Sequence, residues 1–333
     1  MALSNEEHDF SLPAVMPEYL IRHTTLRQLQ IFEATVRLGS FTKAADELFL
    51  TQPTVSMQIK KLADSLGMPL FEHVGRSVKP TQAGLELYHA CRKIFDVLAN
   101  LEMTVSDLQG MRRGRIRLAV ITTVKYFLPE LLGEFCAMHP GIDVALKVSN
   151  RERIMERLGN DEDDLYIVGA VPDDSDLVAY PFAPNPLVVV APRDHELVGK
   201  KNITIEQLSE YTFIGREPGS GTREAVRRVF MEKGPLPKVK MELGSNEAIK
   251  HAVVAGLGLA VMSLHSLTLD GPDGPIALLD VEGFPIVRQW YVVHPKGKEL
   301  SIIAKAFLDY ALEAVPEKRD QMCQLWPGLN LKG

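Results

Sequence analysis

The chain has 333 residues, 46% hydrophobic and 24% charged, enough for two or three domains with sizeable cores. No apolar run approaches the ~20 residues a membrane helix needs, and the acidic N-terminus has no apolar signal core. Three scattered cysteines (Cys91, Cys136, Cys323) give neither a zinc-ligand spacing nor a disulfide framework, so a cytoplasmic protein without metal or membrane partner is expected.

The net charge of −6 is unevenly spread. Residues 1–21 hold four acids and no base, residues 22–117 hold 14 Lys/Arg against 9 Asp/Glu, and the remainder is acidic. The basic block is where a polyanion would bind. Residues 1–23 are expected to be a partly disordered extension. "TTLRQLQIFEATVRLGS" places Leu26, Leu29, Phe32 and Val36 on one face of a helix that ends at Gly39. "FTKAADELFL" follows as a second helix, with Thr42 as N-cap and Ala44, Ala45 and Leu48 inward. In "TQPTVSMQIKKLADSLG", Thr51 or Gln52 caps, Pro53 suits the first turn, and Val55, Ile59, Leu62 and Leu66 form the buried stripe.

Only a short turn separates the second and third helices, which is helix-turn-helix geometry. The third helix shows Thr54, Ser56, Met57, Gln58, Lys60 and Lys61 on its other face. Amides and hydroxyls can bond base edges and lysines can hold phosphates. A solvated face on a small helical bundle would present the same residues. "LFEHVGRSVKPTQAG" then reads as two short strands around a Gly-Arg turn, a wing with Arg76 and Lys79 near its tip. Residues 24–80 therefore read as a DNA-binding domain. Along 81–110, Leu87, Cys91, Ile94, Leu98, Leu101, Val105 and Leu108 make a heptad seam, the mark of a dimerisation helix. Packing of that helix on its own domain is the alternative.

Residues 24–110 resemble the LysR-type transcriptional regulators. The resemblance lies in A-A-x-x-L at 44–48, T-Q-P-T-V-S-x-Q-I-K-x-L at 51–62, L-F-E at 70–72 and T-x-A-G at 81–84. It implies a winged helix-turn-helix whose DNA contacts include Gln52, Pro53, Thr54, Ser56, Met57 and Gln58. Thr42, Lys43, Lys60, His73, Arg76 and Lys79 complete the candidate set. Met57 and His73 stand where many members carry arginine. Methionine cannot bond guanine bidentately but can touch a thymine methyl.

After a basic hinge at 111–115, strand and helix patterns alternate to residue 312, which predicts α/β architecture with parallel strands. "IRLAVI", "IDVALKVSN" and "DLYIVGAV" are strands, with helices "TTVKYFLPELLGEFCAMHP", capped by Thr122 or Thr123, and "RERIMERLGN". A second such unit begins near residue 187. "QWYVVHP" and "ELSIIAKAFLDYALEAV" return to the first. The expectation is lobe I at 116–186 and 289–312, lobe II at 187–288, a ligand cleft between them, and a tail at 313–333. Four helix N-termini follow strand ends, with Lys125, Arg151, Arg223 and Lys250 in their first turns. Such ends favour anions. The candidate ligand residues are Thr122, Thr123, Lys125, Asn150, Arg151, Ser220, Gly221, Thr222, Arg223, Asn246, Glu247 and Lys250. Cations lying on the surface are the alternative.

"REPGSGTR" at 216–223 has the composition of an anion cradle, but its spacing fits neither a P-loop, a nucleophile elbow nor a dinucleotide fingerprint. "NDEDD" at 160–164 reads as a solvated turn rather than a metal site. No enzyme activity and no cofactor are expected. "HPGIDVALKVSNRERIMERL", "NPLVVVAPRDHEL" and "SNEAIKHAVVAGLGLAVMSLHSL" resemble the LysR-type branch that controls Calvin-cycle, RuBisCO and other carbon-fixation operons, so the resemblance extends over residues 24–312. It implies a periplasmic-binding-protein-like effector domain. The implied effector is a phosphorylated sugar or acid (ribulose bisphosphate, phosphoglycolate, phosphoenolpyruvate) or NADPH. Implied partners are an interrupted palindrome of promoter DNA, the chain itself as dimer or tetramer, and RNA polymerase. A regulator of another operon, a constitutive DNA binder and an α/β enzyme with a helical appendage are the alternatives.

Overall fold

The computed structural model describes residues 18–74, 77–108, 114–172, 176–327 and 329. The chain divides into two units, Met1–Ala99 and Asn100–Gly333.

The first unit holds α1 (Glu18–His23), α2 (Leu26–Leu38), α3 (Phe41–Glu47), α4 (Gln52–Leu66), β1 (Phe71–Val74), β2 (Ser77–Pro80) and the start of α5 (Gln82–Leu108). Residues 18–23, expected within a disordered extension, are thus helical, while 1–17 lie outside the described residues. Thr25 opens α2 with a capping box closed by Gln28, and Gly39 ends it at φ 60. Leu26 occupies the first helical position and is 52% exposed rather than inward, because the buried stripe starts one turn later at Leu29. Ser40, not Thr42, caps α3, since its hydroxyl accepts from the Lys43 N–H at 3.3 Å. Thr42 therefore falls inside the first turn, exposed. Thr51 caps α4, with Pro53 in the first turn.

Ala44 and Ala45 are buried, Ala45 beside Ile31, Val55 and Ile59, the close helix approach that small side chains permit. The connection from α3 to α4 passes Phe49 at φ 55 and returns the Leu50 N–H to the Ala45 carbonyl at 2.8 Å. β1 and β2 pair antiparallel as the wing. At Gly84 an added Cβ would lie 2.2 Å from the Leu70 carbonyl oxygen, so only glycine lets α5 leave the wing this closely. Thr81 fixes the same corner, donating to the Pro69 carbonyl at 2.7 Å and accepting from the Gly84 N–H.

The heptad seam divides. Cys91 is fully buried and Leu87 packs against the same core as Leu29, Phe32 and Leu62, so these two positions are occupied by their own domain rather than by a partner. Ile94, Leu101 and Val105 are exposed and Leu98 is half-buried. The Leu108 side chain lies outside the described residues.

The second unit runs β3 (Gly114–Ile121), α6 (Leu128–Met138), β4 (Ile142–Ser149), α7 (Arg151–Gly159), β5 (Leu165–Val168), β6 (Leu177–Pro192), α8 (Ile205–Ser209), β7 (Thr212–Arg216), α9 (Gly221–Lys233), β8 (Lys238–Leu243), α10 (Asn246–Val254), β9 (Leu259–Ser263), β10 (Ile276–Leu278), β11 (Ile286–Pro295) and α11 (Ile302–Leu325). Of the expected hinge, 111–113 lie outside the described residues and Gly114 and Arg115 begin β3. Strand pairing runs unbroken in the order β4-β3-β5-β11-β6-β9-β7-β8, with β10 on β6. β3 pairs parallel with β4 and β5, β7 with β8 and β9; β6 and β11 cross between these parallel groups as an antiparallel pair.

Three expectations change here. β6 runs straight through residue 187, where the second unit's first strand was expected to begin, although Phe182 and Ala183 pack into one core and Leu187 and Val189 into another. Its prolines 181, 184 and 186 lie where β6 bonds only β11, an edge that tolerates missing N–H groups. Neither Thr122 nor Thr123 caps a helix, since a 3-10 turn at Val124–Tyr126 intervenes and α6 begins at Leu128, with Pro129 in its first turn. The acidic run is not a solvated turn: Asp163 is buried and accepts from Arg157 at 2.8 and 2.9 Å, Asp164 accepts from Arg117 at 2.7 Å, and Asp161 from Lys298 at 2.6 Å.

Helix α11 also outruns the expected domain end, passing Pro316 to Leu325. Ile303, Phe307, Ala311 and Val315 pack into the core of lobe I, whereas Met322 and Trp326 pack into that of lobe II. Between them buried Lys318 donates to Glu130 and Glu134 of α6. Residues 313–326 are therefore a strap across both lobes rather than a tail.

Candidate functional site

On α4, Gln52, Pro53, Met57 and Lys60 are exposed and Thr54, Ser56 and Gln58 half-buried. Gln52 Nε2 donates to Ser56 Oγ at 2.9 Å, and the Thr51 and Thr54 hydroxyls share a bond of 2.8 Å. Thr42 and Lys43 are exposed on α3, and Lys79 on β2. Arg76 lies outside the described residues, as does the side chain of His73. The face holds hydroxyls and amides at the helix start and a lysine further along, a layout suited to base edges and phosphates.

In the second unit, a cleft of about 340 Å³, part of it open to solvent, is lined by Ile121, Thr122, Thr123, Asn150, Arg151, Gly169, Asn185, Ser220, Gly221, Thr222 and Arg288. Parallel strands β3 and β4 of one group, and β7 of the oppositely running group, turn their C-terminal ends toward the cleft, which brings together Thr122, Thr123, Asn150, Arg151, Ser220, Gly221 and Thr222. Gly219 has φ 78, and an added Cβ there would stand 2.5 Å from the Glu152 carboxylate. A glycine is needed for this turn to lie against α7.

The cleft's polar groups are underused. Thr123 is 3% exposed and its hydroxyl has no partner. Ser220 caps α9 without a side-chain hydrogen bond, and it and Thr222 are buried. Arg288 reaches in from β11, its Nη1 donating to the Gly221 carbonyl at 2.8 Å and its Nη2 to that of Gly169 at 2.9 Å. Burial, and then the cations of Arg228 and Arg151, push the Arg288 pKa down. Among the described residues, no carboxylate lines the cleft. Two guanidinium groups, four hydroxyls, two amides and a helix N-terminus compose a site for an anion.

Five sequence candidates do not line this cleft. Lys125 pairs with Glu247 at 3.0 Å, Lys250 with Asp270 at 2.6 Å, and Arg223 with Glu242 at 2.5 Å. Each cation is turned aside by a carboxylate from elsewhere in the chain. Asn246 accepts from Arg216 at 2.9 Å, and Glu247 accepts from Tyr126 at 2.6 Å. Burial raises the Glu247 pKa, but hydrogen bonds from Tyr126 and Lys125 outweigh it and hold the carboxyl at about 2. Arg288 and Asn185 were missed. An arginine inside the apolar run "IVRQWYVV" was the available signal for the former; Asn185 gave none.

No helix among the described residues is long and apolar enough to cross a membrane. Residues 26–85 match the model of bacterial regulatory helix-turn-helix proteins of the lysR family, and residues 109–316 that of the LysR substrate binding domain. The chain is 50% identical over 290 residues to the HTH-type transcriptional activator CmpR of Synechocystis sp., covering 87% of this chain and 95% of that protein. It is 46% identical over 294 residues to the RuBisCO operon transcriptional regulator of Acidithiobacillus ferrooxidans, covering 88% and 95%. The Synechocystis PCC6803 CcmR regulatory domain, solved in complex with 2-PG, matches at 52% identity and a TM-score of 0.59, covering 61% of this chain and 98% of that one. A helix-turn-helix unit and an anion-suited cleft, each on the segment its family model spans, place the chain in the LysR family of bacterial transcriptional regulators.

Proposed function

We propose that this LysR-family member regulates carbon-fixation genes and that its cleft senses a small phosphorylated acid. The observation that carries the reading is a cleft with two arginines, a buried Thr123 hydroxyl without a partner and, among the described residues, no carboxylate. The 2-PG complex of the 52% identical regulatory domain supports 2-phosphoglycolate as the first candidate. Relatives that act on a RuBisCO operon support the class of target genes.

The basic N-terminal block and the exposed face of α4 support double-stranded promoter DNA as partner. Exposed Ile94, Leu101 and Val105 on α5 support self-association, as a dimer or a tetramer, which would present two recognition helices to two half-sites. RNA polymerase is the further partner of such a regulator, and the cytoplasm its compartment. The ligand is bound and released unchanged; it shifts the DNA-bound arrangement only by its differential affinity for the two states. Calorimetry of the full-length chain with 2-phosphoglycolate, 3-phosphoglycerate, ribulose bisphosphate and NADPH tests the reading. Binding of the small acids with the largest affinity is expected; silence with all four overturns it. For DNA, a steep negative slope of log K against log salt on short duplexes is expected, and a flat one overturns that half.

A further inference from the structure

We infer that Arg216 is a positioning residue for the cleft: it does not line the cleft, but fixes the Thr122 hydroxyl as a hydrogen-bond donor toward the ligand. The inference rests on the anion reading of the cleft given above.

Arg216 ends β7 and is 4% exposed. Its Nε and Nη2 donate to the Glu217 carboxylate at 2.7 and 2.9 Å, its Nη1 to Asn246 Oδ1 at 2.9 Å, and its Nη2 also to Thr122 Oγ1 at 3.1 Å. The fork is held on both sides, so the guanidinium is not available to turn into the cleft. Asn246 is held the same way, keeping its oxygen on Arg216 while its Nδ2 is buried without a partner. Leaving an amide N–H₂ unpaired is costly, and the opposite orientation would set it against a cation that can only donate.

A threonine hydroxyl has one proton and two lone pairs. Arginine has no acceptor, so where Arg216 occupies a lone pair of Thr122 the hydroxyl proton has to go elsewhere. Thr122 lines the cleft at the end of β3. It is therefore presented there as a donor, the polarity that a phosphate or carboxylate oxygen needs. Donation from a cation also polarises the hydroxyl and strengthens its own donation. The bond spans the two lobes, β3 on one side and β7 on the other. Tyr126 and Lys125 reach across to Glu247 at 2.6 and 3.0 Å beside it. The donor is thus set only while the lobes keep this spacing, which links ligand selection to their arrangement.

A double-mutant cycle on the full-length protein, read by calorimetry with 2-phosphoglycolate, tests the inference. Thr122→Val is expected to weaken binding about tenfold, the value of a hydrogen bond to a charged group, and Thr122→Ser to keep it within about threefold. Arg216→Met is expected to cost a similar factor. In its background Thr122→Val and Thr122→Ser should bind alike, because the hydroxyl has lost its imposed direction. Multiplicative losses in the double variant, or a harmless Thr122→Val in a protein that binds the ligand, overturn the inference alone. If the unsubstituted protein does not bind 2-phosphoglycolate, the anion reading falls first and this inference with it. Should thermal melting show that Arg216→Met does not fold, Arg216→Lys completes the cycle under the same criterion, since one ammonium cannot serve Glu217, Asn246 and Thr122 together.

Discussion

Arg288 on β11 donates to the carbonyl of Gly221 at 2.8 Å, carrying a half-buried positive charge to the first residue of α9. Its other bond goes to the Gly169 carbonyl, and its near charged neighbours are arginines. A cation so placed is best compensated by a bound anion. Arg288→Ala is expected to lower 2-phosphoglycolate affinity by at least about tenfold in calorimetry. Arg223→Ala, whose guanidinium is already engaged with Glu242 and the Arg216 carbonyl, is expected to stay within about threefold. The reverse ranking would move the anion to the other side of α9.

His265 is buried, with Nε2 2.9 Å from the Pro184 carbonyl and its ring 4.5 Å from that of Trp290. Burial pushes its pKa down from 6.5 to about 4, and the hydrogen bond to Pro184 restores only part of that. The unfolded imidazole takes up a proton below about pH 6.5; the folded one stays neutral until about pH 4. This contribution to stability is complete above pH 6.5 and is lost as pH falls toward 4, by at most about 3 kcal/mol. Melting temperature is expected to drop between pH 7 and pH 5, and His265→Gln to flatten that drop. An unchanged slope in the variant would assign the pH dependence to other groups.

The strap formed by α11 should be measurable as stability. Met322 and Trp326 are each 7% exposed and sit in the core of lobe II, beyond Pro316. Truncating such side chains leaves a cavity, so Trp326→Ala is expected to cost about 3 kcal/mol and Met322→Ala about 2 kcal/mol. Urea denaturation of the full-length chain reads both. Midpoints equal to that of the unsubstituted protein would mean that the residues after Pro316 add nothing to the core.

On the DNA side, Lys60 is exposed on α4. If it neutralises one phosphate, Lys60→Gln lowers the steepness of log K against log salt by about 0.9 and weakens all sequences alike. Gln52→Ala, at the start of the same helix, is expected instead to change base preference with little change in slope. Fluorescence anisotropy at several salt concentrations separates the two; equal slopes for Lys60→Gln and the unsubstituted chain would remove Lys60 from the interface.

The helices of the first unit were legible in the residues because what forms them is local. The Thr51 cap, the Gly39 stop and the stripe Val55, Ile59, Leu62 all act within a few residues of one another. Ser40 shows how fine the margin is, since the hydroxyl two residues before Thr42 takes the capping bond. The half of the cleft made by strand ends and helix starts was legible too, because each parallel group carries those residues to its strands' C-terminal ends whatever their side chains do. The length of β6 and the reach of α11 were not, since prolines read as breaks until an unpaired edge or a second core accommodates them.

The sequence by itself determined a basic helix-turn-helix block, an α/β region of alternating strands and helices, and glycine and hydroxyl turns able to hold an anion. Only the tertiary structure decided which cations face it. Lys125 bonds a carboxylate 122 residues away, and Lys250 and Arg223 are likewise claimed by acids on other segments. Arg288 arrives from a strand whose pattern marks it as core. The physical reason is the length of these side chains: a helix start places a lysine or arginine by its Cα, but its charge goes to whichever acceptor the folded chain brings within reach.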